Sequence, residues 1–418
     1  MSTKTLRIDA ARLMARLSEL ATKGARDDGG CNRLAFTDAD KEGRDLVTRW
    51  MRDLGMTVSI DGIGNGVAVR PGREKGSPVM IGSHIDTVRT GGRYDGNYGV
   101  LSGLEVVETL KDAGITTRRP LAVAFFSNEE GCRVAPDMMG SLVYVGGFGL
   151  AEAHDAVTID GKRVGDELDR IGYRGPAPTP GPVPYAYVEL HIEQGPVLEA
   201  EGFRIGAVTG VQGISWTEVT VRGQSNHAGT TPMSYRHDAG YVAGEAAAFV
   251  RRLTKEMGGR QVGTVGSMVL EPNLVNVVAQ KAVFTVDLRN TDEKLLQSAE
   301  ARLDEFLGTI ADAEGVEIST RRLARFEPVD FDPRMISLVE ETALALGATV
   351  MRLPAGAGHD AQMLARVSPA GMIFTPSVKG LSHNVREHTD PADLELGANV
   401  LLQTVLTLSE TDSFPTRS

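Results

Sequence analysis

Leu-Ala-Val-Ala-Phe-Phe-Ser-Asn-Glu-Glu-Gly, residues 121–131, is the stretch on which the reading of this chain turns. The apolar residues at 121–126 run without alternation, as in a strand buried on both faces. Such a strand belongs to a sheet covered by helices. The stretch ends on two adjacent carboxylates, Glu129 and Glu130. At the end of a buried strand they repel each other and are costly to desolvate unless a cation is present. Their flanks are not a run of surface charge.

Outward from this strand the pattern alternates. Apolar residues at helical spacing predict a helix over about 6–20, and Thr37 is placed to cap a second one reaching 54, ended by Gly55. Short apolar runs at 66–69 and 78–82 read as strands, with helical periodicity at 100–111 between them and the 121–127 strand. The Pro-rich segment 172–184 reads as a surface loop, and 185–192 as a strand. The pattern then changes. Strands are expected at 214–221, 264–270, 283–289 and 316–322, with helices at 239–257 and 292–313. In order this is βαββαβ, the ferredoxin-like arrangement. After Phe331 the first pattern resumes, with a helix at 335–346, a strand at 371–375 and a closing helix from Leu394. The expected fold is α/β: a layered catalytic domain with a mixed sheet, 1–210 and 330–418, interrupted by an inserted ferredoxin-like α+β domain at 211–329.

Glu130 has four potential partners in the layered part: His84, Asp95, His191 and His383. Each has an ordinary alternative: Asp95-Gly96 is a common turn, His191 could be a core histidine, and His383 a solvated one. Jointly they suit two metal ions sharing a carboxylate, and hence metal-assisted hydrolysis. Glu129 is then left free to act on water. Asp86, two residues from His84, is expected to bend back and accept the second imidazole N–H. His84, Glu129 and Glu130 each follow the carboxyl end of an expected strand, where open α/β sheets place their sites.

The formal charge of −11 argues against nucleic acid, whose phosphates demand a basic face. Two cysteines, Cys31 and Cys132, with no CxxC, fit a reducing compartment and exclude a thiolate zinc site. With no signal-peptide stretch and no membrane span expected, the cytoplasm is the default.

Together the motifs Gly-Ser-His-Ile-Asp-Thr-Val (82–88), Asn-Glu-Glu-Gly (128–131), Glu-Leu-His-Ile-Glu-Gln-Gly (189–195), Asn-His-Ala-Gly-Thr-Thr-Pro-Met (226–233), Gly-Ala-Gly-His-Asp-Ala (356–361) and Leu-Ser-His-Asn (381–384) resemble the dinuclear zinc amidohydrolase/peptidase family. The branch resembled is that of hydantoinase/carbamoylase enzymes: N-carbamoyl-L-amino-acid hydrolases, β-ureidopropionases and allantoate amidohydrolases. The resemblance implies hydrolysis of the carbamoyl C–N bond of an N-carbamoyl-L-amino acid to the amino acid, carbon dioxide and ammonia. Alternatives are allantoate or β-ureidopropionate as substrate, then a peptidase or aminoacylase, then a non-catalytic carboxylate-binding protein. It further implies two divalent ions, zinc with manganese or cobalt as alternatives. Asp95 would bridge them, His84 and His191 would hold one, and Glu130 and His383 the other. Glu129 would be general base on a metal-bridging water. His227 would support the oxyanion, Asn276 and Arg289 would hold the substrate carboxylate, and Gln194 and His359 would line the site. A homodimer through the inserted domain, which would also act as a lid, is implied as well. The run Cys132-Arg133-Val134 departs from relatives that carry an aromatic after the arginine.

Overall fold

The first helix starts later than its apolar spacing suggests. Asp9 caps it, its carboxylate accepting from the Arg12 N–H, so the helix runs Ala10–Ala21 and Leu6 stays outside. Thr37 caps the second helix, Asp38–Asp53, as expected, and Gly55 follows at φ 81°. These elements belong to a computed structural model that describes residues 6–411. The chain divides into two units, Met1–Gly210 with Asp330–Ser418, and Val211–Val329.

The first unit is built on one mixed sheet. Along the chain its strands are β1 (Thr57–Ile60), β2 (Gly66–Arg70), β3 (Val79–His84), β4 (Leu121–Phe126), β5 (Ala186–Ile192) and β6 (Ile205–Val211). Four further strands, β7 to β10, make up the second unit: β7 (Gly213–Arg222), β8 (Val262–Glu271), β9 (Lys281–Asn290) and β10 (Glu317–Phe326). The first unit then resumes with β11 (Val329–Asp330), β12 (Val350–Ala355) and β13 (Ala370–Thr375). Its sheet order is β1-β2-β4-β3-β5-β13-β6-β11, with β12 on β6.

The centre of that sheet is parallel. β4, β3, β5 and β13 lie side by side and run the same way. Every residue of these four strands is buried. The helix Asn97–Asp112 supplies the crossover from β3 to β4 that a parallel pair needs. The flanking pairs β1/β2, β2/β4 and β13/β6 are antiparallel. Because four adjacent strands end on the same edge, their following residues collect there. His84 is the last residue of β3, Glu129 and Glu130 follow β4, His191 lies at the end of β5, and His383 comes from the loop after β13.

Strands β1, β6 and β12 were not expected from the sequence. β1 is a short edge strand with an exposed and half-exposed pattern, and β12 is only partly buried, so neither shows a clear apolar period. β6 carries two glycines, Gly206 and Gly210, which interrupt its apolar run.

The second unit is βαββαβ. Its antiparallel sheet has the order β10-β7-β9-β8, with helices Ala239–Met257 and Glu293–Glu314. Asp238 and Asp292 cap these helices through their carboxylates. Phe284, Val286 and Leu288 of β9 pack with Ala243, Ala246 and Val250 of one helix and Leu303 and Leu307 of the other. Both helices therefore cover the same sheet face. Among the described residues no helix is long and apolar enough to cross a membrane.

Candidate metal centre

At the shared strand edge two groups of ligand atoms meet on one carboxylate. His84, Asp95 and His191 form one group, and Asp95, Glu130 and His383 the other; within each, the ligand atoms lie within 4.8 Å of one another. Asp95 divides its oxygens between them. Its Oδ1 is 3.5 Å from His84 Nε2 and 3.2 Å from His191 Nε2. Its Oδ2 is 3.4 Å from His383 Nε2, which in turn is 3.2 Å from Glu130 Oε2.

The far side of each strand-borne imidazole is already fixed. His84 Nδ1 lies 3.0 Å from the Asp86 carbonyl oxygen, and His191 Nδ1 lies 2.8 Å from that of Ile192. A ring that donates from Nδ1 to a carbonyl presents a lone pair at Nε2, the orientation of a metal-ligating histidine. The role expected for Asp86 is corrected here. It is the backbone carbonyl of Asp86 that meets the His84 ring. Its carboxylate instead accepts the backbone N–H groups of Glu129 and Glu130, both at 3.3 Å. The end of β3 thereby holds the turn that carries both glutamates.

Gly96 lets Asp95 approach. It sits at φ 66°, and a Cβ there would lie 2.4 Å from the His84 ring. Asn128, at φ 55°, turns the chain after β4 and ties the loop by donating to the carbonyls of Val134 and Pro136. Arg133, in the run that departs from the family pattern, faces the Ala35 carbonyl, Asp160 and Glu167. It anchors the loop and stands away from the ligand groups.

The electrostatics suit a cation. His84, Asp95, Glu129 and His191 are all buried. Burial works against charge on His84, but Glu129, Asp95 and Asp86 outweigh it and hold its pKa well above the usual value. Hydrogen bonds to Asp95 and then Glu130 push His383 up to about 11. Glu130 Oε1 is buried with no hydrogen-bond partner. An imidazole and carboxylate set that concentrates this much negative charge fits divalent ions.

Glu129 belongs to neither group. Its Oε2 is 3.4 Å from His84 Nε2. Burial raises its pKa well above the usual carboxylate range, His84 opposes this, and Asp360, Glu130 and Asp95 reinforce it. Gln194 donates to Asp95 Oδ2 at 2.8 Å and so stands at the same carboxylate. His359 packs edge-on against His191, with ring centroids 4.6 Å apart. Both its ring nitrogens are buried without a partner, and burial followed by His191 keeps its pKa well below the usual value.

The three remaining expected residues lie in the second unit. The 226–228 and 276–278 segments pair, through a bridge of His227 to Val277 and bonds from Ala228 N to Asn276 O and Val278 N to Asn226 O. His227 and Asn276 are thus neighbours, and both are exposed. His227 Nδ1 accepts the Gly229 and Thr230 N–H groups, which leaves Nε2 as the nitrogen able to donate. Arg289 grips Asp287 through Nε and one amino group, 5.8 Å from the Trp216 ring.

Several supporting residues were not foreseen. Arg33 is fully buried and donates to the Ile85 carbonyl and Asn97 Oδ1, fastening the loop after β3 to the start of the helix beyond Asp95. Glu189, inside β5, accepts from Ser83 and from the Ala361 N–H, and forms a third group with His191 and His359. A buried glutamate inside an apolar strand was a visible signal.

Known proteins bear on this arrangement. Residues 80–407 match the family model described as peptidase family M20/M25/M40. The N-carbamoyl-L-amino-acid amidohydrolase of Rhizobium meliloti is 43% identical, over 97% of this chain and 97% of that protein. The ureidoglycolate hydrolase of Arabidopsis thaliana is 33% identical, over 97% of this chain and 88% of that protein. A hydantoinase/carbamoylase family amidase from Burkholderia multivorans superposes with a TM-score of 0.92 at 44% identity, over 97% of this chain and 99% of the other. The chain belongs to peptidase family M20/M25/M40, within its hydantoinase/carbamoylase branch.

Proposed function

We propose that this protein is a metal-dependent amidohydrolase that cleaves the carbamoyl C–N bond of N-carbamoyl-L-amino acids, yielding the amino acid, carbon dioxide and ammonia. The observation that carries the chemistry is the division of Asp95 between two ligand groups, with Glu129 beside them and in neither. The substrate class is supported by the relative from Rhizobium meliloti.

His84 and His191 would hold one ion with Asp95, and Glu130 and His383 the other with the same carboxylate. Zinc suits these nitrogen and oxygen donors, with manganese or cobalt as alternatives. Bound ions supply Lewis-acid polarisation of the carbonyl and make water more acidic. Polarisation is useful because two nitrogens donate into a carbamoyl carbonyl and leave it a poor electrophile. Glu129 takes a proton from the attacking water and returns it to the departing nitrogen. His227 donates from Nε2 to the oxygen that gains charge. Arg289 and Asn276 bind the substrate carboxylate; the planar guanidinium, held by Asp287, suits its two oxygens. Gln194 and His359 line the site.

A second reading, hydrolysis of another ureido acid, is favoured by the plant relative named as a ureidoglycolate hydrolase. A panel separates the two. Metal-stripped enzyme should be inactive, and zinc-loaded enzyme should show its highest kcat/KM on N-carbamoyl-L-amino acids. Ureidoglycolate, allantoate and β-ureidopropionate should be slower. A higher kcat/KM on one of those three would make it the substrate. Arg289→Ala should cut the preference for each acid over its amide by about one to two decades, the scale of a charged hydrogen bond of ~1.5–3 kcal/mol. An unchanged preference would move carboxylate recognition to another residue.

The second unit would pair two subunits as a homodimer and cover the site. Val262, Val269, Leu274 and Val275, on and just after its edge strand β8, are exposed apolar residues. His227 would serve the partner's site. Mixed dimers of inactive Glu129→Gln and inactive His227→Ala subunits should then regain partial activity, and verified mixed dimers without recovery would confine His227 to its own subunit.

A further inference from the structure

Glu387 is a buried carboxylate that neither ligand group uses. Its Oε1 accepts two backbone N–H groups, from Tyr94 at 3.0 Å and from Asp95 itself at 3.2 Å. Its Oε2 accepts from the Ser382 hydroxyl at 3.1 Å, and Ser382 Oγ also lies 3.0 Å from Asp95 Oδ2. One side chain thus holds the backbone of the shared carboxylate and the residue next to His383. The fit is close on both sides. A Cβ at Gly92 would lie 2.3 Å from Glu387 Oε1, so the glycine leaves room for the carboxylate. The Glu387 N–H closes a turn onto the Asn384 carbonyl.

The two ligand groups differ in how they are supported. His84 and His191 stand on β3 and β5, buried and hydrogen-bonded through Nδ1. Glu130 and His383 stand on loops. The His383 side chain is 52% exposed and its backbone sits at φ 52°. A loop ligand at an uncommon backbone angle persists only where its surroundings impose it. Glu387 joins the His383 loop to the backbone of Asp95, and Ser382, which it holds, reaches the Asp95 carboxylate.

We infer that Glu387 is a positioning residue, clamping the Asp95 loop to the His383 loop and thereby setting the affinity of the Glu130–His383 metal position. The inference rests on the two-ion reading above. Glu387 lies in neither ligand group, and both its oxygens are engaged by N–H and O–H donors.

The test is zinc titration of metal-stripped, full-length protein by calorimetry, with cobalt(II) absorption reporting each position. Wild type should take two ions. Glu387→Ala should take the first at wild-type affinity and the second about 10–100-fold more weakly, the range for loss of an outer-sphere partner. Glu387→Gln, isosteric and still able to accept one backbone N–H, should restore part of the loss. It also decides the matter if the alanine variant fails to fold. His383→Ala should lose the same ion, and adding Glu387→Ala in that background should weaken the remaining ion no further. Wild-type affinities for both ions in a folded Glu387→Ala or Glu387→Gln would overturn the inference, as would equal weakening of both. A wild type that takes fewer than two ions would overturn the two-ion reading itself, and the clamp with it.

Discussion

Replacing Glu129 with glutamine should lower turnover by at least ~100-fold, the scale of general-base catalysis, while metal content stays at the wild-type level. Glutamine keeps the shape and one acceptor oxygen but cannot take a proton. The side chain is 8% exposed, so little bulk water stands in for it. Burial already raises its proton affinity, with Asp360, Glu130 and Asp95 adding to it against His84. That is the direction a base needs if it is to hold a proton between attack and departure of the nitrogen. Metal content separates base from ligand. Glu130, the next residue, has its Oε2 3.2 Å from His383 Nε2, whereas Glu129 lies in neither ligand group. Steady-state kinetics with metal analysis on the same sample is the check. Near-normal turnover in a fully metallated variant would remove Glu129 from the role, and loss of an ion would make it a ligand.

Much of this architecture could be read from the sequence because apolar period survives where burial is one-sided or complete. The strand at 121–126 is buried at every position, and its unbroken apolar run announced that. In the second unit, β9 alternates buried and half-buried residues from end to end, so the period of two was plain. Its helices start after Asp238 and Asp292, whose carboxylates accept from first-turn N–H groups. Reading failed where these signals are absent. β1 has no buried residue, and the helix Leu150–Asp155 has one. Short elements of this kind are held by neighbours distant in sequence, which no local pattern records.

The site divides in the same way. His84, Glu129, Glu130 and His191 were marked by their positions at strand ends, and parallel pairing of β4, β3, β5 and β13 brings them together. Asp86 shows the limit of spacing arguments. Two residues from His84, its carboxylate could have turned to the imidazole; the backbone at the strand end turns it instead to the Glu129 and Glu130 N–H groups. Arg33 and Glu387 were not anticipated because they meet backbone atoms of remote loops and one uncharged side chain each, Asn97 and Ser382. A guanidinium that meets carbonyl oxygens, or a carboxylate that meets N–H groups, leaves no opposite charge in the sequence to reveal it.

Asp95→Ala should abolish activity and release both ions together, where Glu387→Ala weakens the binding of one. Asp95 is the only residue common to the two groups that also contain His84 and His383. Its Oδ1 faces the two strand histidines and its Oδ2 faces His383. Removing it leaves His84 and His191 as a pair of neutral donors and Glu130 with His383 as another pair, and neither pair matches the three protein ligands usual for a catalytic zinc site. The shared negative charge goes too, so two dications at neighbouring positions would repel with nothing between them. Asp95→Asn separates charge from contact: it can still face both groups but carries no charge. It should retain at most one ion, so the loss follows the charge and not the volume. Metal analysis after equilibrium dialysis, read beside the unfolding temperature of the stripped proteins, is the measurement. Both ions still bound at full stoichiometry in folded Asp95→Ala would place the bridge on another residue.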